Sequence, residues 1–390
     1  TRKSAWRKHP AVALALTIAL AGCASLPPNP ERPPTHAIAP SPDSPLVRVA
    51  RESTPAGDLS GFRVMPLGAY SLDARVELAR RARVSIDAQY YQIQNDVTGR
   101  LFLRSLRDAA TRGVRVRLLV DDLYTADGDP LFRGLAAFPN VEVRLFNPFC
   151  CGCGGLVSRF VASPFEFRRL NRRMHNKLFI VDGALAVVGG RNIGDEYFMR
   201  SMSGNFVDLD VFIAGAVVPQ LAAIFDTYWN SPYVYPVEAI IQSDLDAVAL
   251  QRQFDRDVAE GEQMMSVTLP PNDVLGYGPI AEDLDAGRLG LIWAKAVAFA
   301  DPPGKAGAAS DEEAREMSVR MNVMTLADSA STELVIASPY LVPGEYGMKW
   351  ITSLRARDVK VSVLTNSLGA TDEPVVHTGY SRYRPDLLKL

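Results

Sequence analysis

The chain has 390 residues, 47% of them hydrophobic and 22% charged, and a formal net charge of −2. That length accommodates two domains with cores of their own, and the balance is that of a globular protein. Without Arg2, Lys3, Arg7 and Lys8 the formal charge falls to −6, which weighs against a generic nucleic-acid binder, because such binding rests on phosphate neutralisation.

Those four basic residues precede an apolar run from Ala11 to Ala21, too short for a comfortable membrane span. Leu20-Ala21-Gly22-Cys23 follows and resembles the lipobox of bacterial lipoproteins, in which the signal is cleaved before the Cys and the Cys is lipidated. The resemblance implies a lipoprotein signal peptide over residues 1–22 and a lipid anchor on Cys23; a plain N-terminal anchor helix is the alternative. The first residue is Thr, so the natural start is expected to be missing or processed. Ala24 after the Cys leans, by the same resemblance, toward outer-membrane sorting. The expected place is the bacterial cell envelope, on the periplasmic side of a membrane. Residues 23–45 are read as a tether, because the eight prolines between Pro27 and Pro45 favour extended, solvated chain that forms no core.

A first lobe is expected over 46–240. Val84 to Tyr91 reads as a strand and 98–111 as an amphipathic helix closed by Gly113. Val114 to Val120 is a second strand, ending at Asp121-Asp122. Pro130 opens another helix through Ala137, and Val141 to Phe146 is a third strand. Cys150, Cys151 and Cys153 follow in a Gly-rich stretch. Three thiols leave at least one unpaired within the chain, and no His lies near enough to complete a zinc site. Incidental loop thiols are the plain reading, with a local disulfide open. Lys177 to Val181 and Leu185 to Val188 read as a hairpin around Asp182-Gly183. After an apolar helix at about 216–229 come Tyr228, Trp229, Tyr233 and Tyr235, for which packing between lobes is a plainer account than a membrane interface. Strands alternating with helices predict an α/β fold with a mixed, largely parallel sheet.

The pattern begins again in 241–390, read as a second lobe. Gly113 to Asp122 overlays Asp358 to Ser367 at an offset of 245, Ile86 overlays Ile336 at 250, and Pro130 overlays Pro385 at 255. The fold is thus expected to hold two repeated lobes, the second incomplete.

Residues 175–192 contain H-x-K-x4-D-x6-G-G-x-N, carried by His175, Lys177, Asp182, Gly189, Gly190 and Asn192. In a strand, i and i+2 share a face, so His175 and Lys177 would point together. An imidazole can attack phosphorus covalently, and a lysine ammonium stabilises phosphoryl oxygens in the transition state. Asn192 can donate to the same oxygens, and Gly190 lets the backbone approach them. No Asp/Glu/His cluster has metal-ligand spacing, so no metal or cofactor is expected.

This motif resembles the HKD signature of the phospholipase D superfamily. Phe167 to Lys177, Gly189 to Phe198, and Val376 to Arg384 resemble its bacterial cardiolipin synthase C-like branch, over about 46–390. The resemblance implies two HKD motifs meeting at one cleft, one histidine forming a phosphohistidine and the other protonating the leaving alcohol. It implies a phospholipid substrate, with transfer to a lipid hydroxyl giving cardiolipin-type synthesis and transfer to water giving hydrolysis. On this chain His175 becomes the nucleophile, with Lys177, Asn192 and Gly190 at the phosphate. Asp208 is the match for the acidic residue that orients the histidine, with Asp210 next. Asp182 joins the candidate catalytic set as a motif member, although a structural role near the turn suits it better.

The chain departs from the family in holding one HKD motif. The offset predicts the second copy at about 420–430, past Leu390. His377 has no Lys at i+2. The resemblance also allows a homodimer that pairs single motifs. Two further readings stay open: a nuclease of the same superfamily, and a catalytically inactive, membrane-tethered interaction module. Arg168, Arg169, Arg172 and Arg173 could attract anionic headgroups or form a solvated face.

Overall fold

The computed structural model describes residues 26–150, 155–163, 166–259 and 269–390. The expected signal peptide, Cys23, Cys151 and Cys153 lie outside the described residues. Two compact units divide the chain, Thr1–Ala314 and Arg315–Leu390. The boundary expected at 240/241 falls inside the first of them.

In the first unit nine strands form one sheet: β1 (Ser60–Met65), β2 (Ser85–Tyr90), β3 (Arg115–Asp121), β4 (Val141–Phe146), β5 (Leu178–Val181), β6 (Leu185–Gly189), β7 (Asp210–Gly215), β8 (Val234–Pro236) and β9 (Ile292–Ala294). Their order across the sheet is β8-β4-β3-β2-β5-β6-β7-β1-β9. The mixed α/β lobe is as expected, but its parallel part is confined to β4-β3-β2, and the remaining pairings are antiparallel. Parallel neighbours need a crossover of helix length. After β2 and β3 the chain supplies one each time, whereas β5 and β6 are joined by a tight turn.

The helices that matter here are α1 (Pro45–Ser53), α2 (Gly68–Arg81), α3 (Val97–Thr111), α4 (Asp129–Leu135), α5 (Leu156–Ala162) and α6 (Val218–Trp229). Asp96 caps α3, its Oδ1 accepting from Gly99 N at 2.8 Å, and Gly113 closes it with φ +96°, as its lack of a Cβ permits. Ile86, Ala88 and Tyr90 of β2 join Val116, Leu118 and Val120 of β3 in a core that includes α2 and α3. The opposite face of the sheet packs on α6 through Leu178, Ile180, Ile213, Phe225 and Trp229. Tyr228 and Trp229 thus pack inside the first unit.

Strand β2 alternates polar with apolar residues, yet all six are buried. Its Asp87 accepts from Arg117 Nε and Nη2 at 2.7 and 2.9 Å, and the same guanidinium reaches Asp226 of α6 at 2.8 Å. Pairing and hydrogen bonds offset the desolvation of these charges.

Residues 26–44 form no helix or strand, as the prolines dictate, but they are a strap and not a free spacer. Asn29 Nδ2 donates to Val234 O (3.0 Å), Trp229 Nε1 to Thr35 Oγ1 (2.8 Å), and Arg117 Nη1 to Thr35 O (3.0 Å). The strap ends where Ser44 caps α1 and Pro45 occupies its first turn. Proline removes donors but leaves carbonyls and neighbouring side chains, and these hold the strap to the domain.

In the second unit β10 (Glu333–Ala337), α7 (Gly344–Arg355) and β11 (Lys360–Leu364) form a parallel βαβ, the arrangement of β2-α3-β3. Glu333 pairs with Lys360 where Ser85 pairs with Arg115. The first strand of the repeat is therefore offset by 248 where the sequence overlay gives 250, an even slip that keeps every side chain on its face. Asp358, at φ +60°, takes the helix-ending place of Gly113.

Candidate active site

The chain from Asn171 to Lys177 has no regular structure and enters the ladder at Leu178, opposite Gln89. His175 and Lys177 therefore sit at the C-terminal end of β2. Lys177 Nζ lies 3.0 Å from His175 Nδ1 and donates to His175 O at 2.9 Å. Tyr91, next after β2, packs its ring against both: 4.7 Å between centroids to His175 and 5.3 Å to Nζ. Tyr124 closes on Tyr91 edge-to-face at 5.5 Å.

His175 is open to solvent on one side; loss of hydration on its packed side, and next the Lys177 charge, push the imidazole pKa down to about 4. Burial pushes Lys177 down to about 7, against the opposing pull of Asp208, Asp121 and Asp210. Between these values the pair is a neutral imidazole beside an ammonium. The ammonium then donates to Nδ1, which leaves the ring proton on Nε2.

Asp182 is not brought to this pair. It stands at the other end of β2 and β5, beside Ser85, whose carbonyl accepts from Asp182 N at 2.8 Å. Asp182 (φ +50°) and Gly183 (φ +65°) form the hairpin turn, with the two positive φ values of a type I′ turn. The buried Asp182 carboxylate accepts from Val84 N (2.8 Å), Ser85 N (3.0 Å) and Ser44 Oγ (2.5 Å). In this fold its contacts are structural.

Gly189 and Gly190 answer to two carboxylates. A Cβ on Gly189 would collide with Asp210 Oδ1, and one on Gly190 with Asp208 Oδ1. Asp210 is fully buried and pairs with Arg75 at 3.1 Å. Asp208 is half-buried; desolvation raises its pKa, opposed chiefly by the Leu209 amide. Asp208 heads the carboxylates acting on Lys177, while Asp210 belongs to the buried Arg75 network. The Gly190 amide donates to Leu209 O at 3.1 Å. Asn192 accepts from Gln92 N (3.2 Å) and donates to Tyr197 OH (2.9 Å), bracing the chain beyond β2.

The four arginines are not a free cluster, since each has partners, although Arg168 stays exposed. Arg168 and Arg172 donate to Ala309 O and Ser310 O at 2.7 and 2.9 Å, Arg169 pairs with Glu166, and Arg173 reaches Asp121 at 3.3 Å. Cys150 is buried, its Sγ 3.1 Å from Ser163 Oγ. His377 lies in the second unit on the helix Pro374–Ser381, against Tyr380. The sequence reading missed Tyr91, Tyr124 and Asp121 as site neighbours; the position of each at or shortly after a strand's C-terminal end was the available signal.

Residues 76–229 match the family description "Cardiolipin synthase, PLD-like domain". Cardiolipin synthase C of Escherichia coli is 39% identical over 333 residues, 82% of this chain and 66% of that protein. The chain belongs to the phospholipase D superfamily, in its cardiolipin synthase-like branch. A cardiolipin synthase of Staphylococcus aureus is 32% identical over 50% of this chain and 35% of its own length. The chain thus spans about two thirds or less of these relatives. A phosphatidylserine synthase structure from Haemophilus influenzae superposes with a TM-score of 0.52 at 13% identity, over 88% of this chain and 73% of that one, a likeness of fold. Within the superfamily domain all six motif residues are described. His175 and Lys177 are in contact, and the Asp208 carboxylate acts on Lys177 through its charge, whereas Asp182 and the Gly190 amide have structural partners.

Proposed function

We propose that this chain supplies one half-site of a phospholipase D-type phosphatidyltransferase that acts on phospholipids, as a cardiolipin synthase-like enzyme. The observation that carries the reading is the His175–Lys177 pair, neutral imidazole beside ammonium, with the Asp208 charge favouring the ammonium. An incoming phosphodiester draws Lys177 Nζ from Nδ1 to a phosphoryl oxygen. The ring proton moves to Nδ1 and Nε2 presents its lone pair to phosphorus. A nitrogen–phosphorus bond forms, the bond to the leaving alcohol oxygen breaks, and a general acid protonates that oxygen. A lipid hydroxyl, or water, then attacks phosphorus, gives its proton to the group that had served as acid, and releases the neutral imidazole as the nitrogen–phosphorus bond breaks. Asn192 and Asp208 are proposed to align phosphate and histidine. Lipidation of Cys23 would hold the domain at a membrane; no helix among the described residues is long and apolar enough to cross one.

The test traps the intermediate. Incubation with a short-chain phosphatidylglycerol should leave an acid-labile phosphatidyl adduct on His175, located by mass spectrometry. His175→Ala should abolish lipid products on thin-layer chromatography. Unchanged products in that variant, or cleavage of single-stranded DNA in place of lipid, would refute the reading.

A further inference from the structure

We propose that Asp121, at the end of β3, is a positioning residue for the His175–Lys177 pair, resting on the reading of that pair as the phosphate site. Leading into β5, the chain passes the ends of β3 and β2, and residues 172–177 have no ladder to fix them. Asp121 catches them midway. Its Oδ2 accepts from Met174 N at 2.9 Å, one residue before the histidine, and its Oδ1 accepts from Leu123 N at 3.0 Å and Arg173 Nη1 at 3.3 Å. The side chain is fully buried, where an acceptor of three donors holds its geometry far better than a solvated one. Further anchors hold the side chains or the chain upstream: Asn147 Nδ2 donates to Arg169 O and Arg172 O at 2.9 Å each, Arg173 Nη1 donates to Asn147 O at 2.9 Å, and Gln89 Nε2 lies 3.0 Å from Met174 Sδ; Asp121 takes the backbone amide next to the histidine.

Asp121 also contributes charge. The carboxylates acting on Lys177 are Asp208 from the β6–β7 connection, Asp121 from β3 and Asp210 from β7; His175 faces it from its own segment and Tyr91, next after β2, packs its ring on it. All three carboxylates favour the ammonium. Asp121 thus sets where the imidazole stands and helps keep its neighbour protonated.

The test titrates dimethyl phosphate, which stays monoanionic across the range, into the 390-residue chain by phosphorus NMR from pH 5 to 9. Asp121→Asn should weaken binding about tenfold and move its alkaline midpoint to lower pH. Asp121→Glu, which keeps the charge but displaces the carboxylate, should hold the midpoint near wild type and still weaken binding. Wild-type affinity and midpoint in a folded Asp121→Asn chain would overturn the proposal, leaving a mere brace. If Asp121→Asn does not fold, a lowered midpoint in Asp121→Glu overturns it equally. No binding by the folded wild-type chain would sink the phosphate-site reading itself, and this proposal with it.

Discussion

At the scale of single residues, the site is a set of displaced protonation equilibria and forced glycines. Lys177 carries its charge below about 7 and His175 is neutral above about 4. Phosphodiester affinity should therefore fall as pH rises through the lysine pKa, and nucleophilic reactivity should fall as pH drops through that of the histidine. A bound anion favours the ammonium, so the alkaline limb should stand at or above pH 7. A pH profile of adduct formation at His175 reads both limbs, and a flat alkaline limb up to pH 9 would contradict the assignment. The glycines give a second contrast. Gly189→Ala pushes on Asp210, whose pairing with Arg75 is fully buried, and should cost about 3–5 kcal/mol. Gly190→Ala pushes on the half-buried Asp208, which can swing toward solvent. That variant should lose under about 2 kcal/mol while still impairing phosphodiester binding. Urea melts of both variants check the order, and equal losses would show that Asp208 is as confined as Asp210.

At the scale of elements, the hairpin, the helices α3 and α4 and the strands β2 to β4 were legible because their signals are local. Gly113, Pro130 and the Asp182-Gly183 pair are punctuation whose physics needs no tertiary context. The strap was not legible. Its proline composition gives its extended backbone but not its partners, which lie about two hundred residues away at Asp226, Trp229 and Val234. The polar face of β2 was illegible for the same reason, since Asp87 pairs with an arginine on β3 whose guanidinium is held in turn by a carboxylate on α6. The strap carries its own test. Ser44 caps α1 and donates to Asp182 at 2.5 Å, so Ser44→Ala removes a cap and leaves a buried carboxylate short of one donor. A loss of about 1–3 kcal/mol is expected, with the motif's hairpin exchanging its amides faster. A loss below about 0.5 kcal/mol would mean that the strap rests on the domain without supporting it.

At the scale of the whole molecule, the repeat is what the sequence expressed best and the number of active motifs is what it leaves to experiment. The β10-α7-β11 unit repeats β2-α3-β3 down to its parallel register and the left-handed residue before the second strand. A slip of two residues leaves the strand pattern unchanged, because strand patterns repeat every two residues. Residues 1–390 hold a single H-x-K-x4-D, so on the proposed half-site reading the general acid, a contribution worth about 10²–10⁴ in rate, would come from a second motif. If two copies of this chain supply each other, turnover per chain should rise with concentration until the dimer saturates. Mixing wild type with an equal amount of His175→Ala should then leave about one quarter of the dimers with both histidines, so activity per wild-type chain should halve under random exchange. Strict proportionality to wild-type chain at every concentration, with no loss on mixing, would mean that one motif suffices within one chain, and the requirement for two histidines would fall.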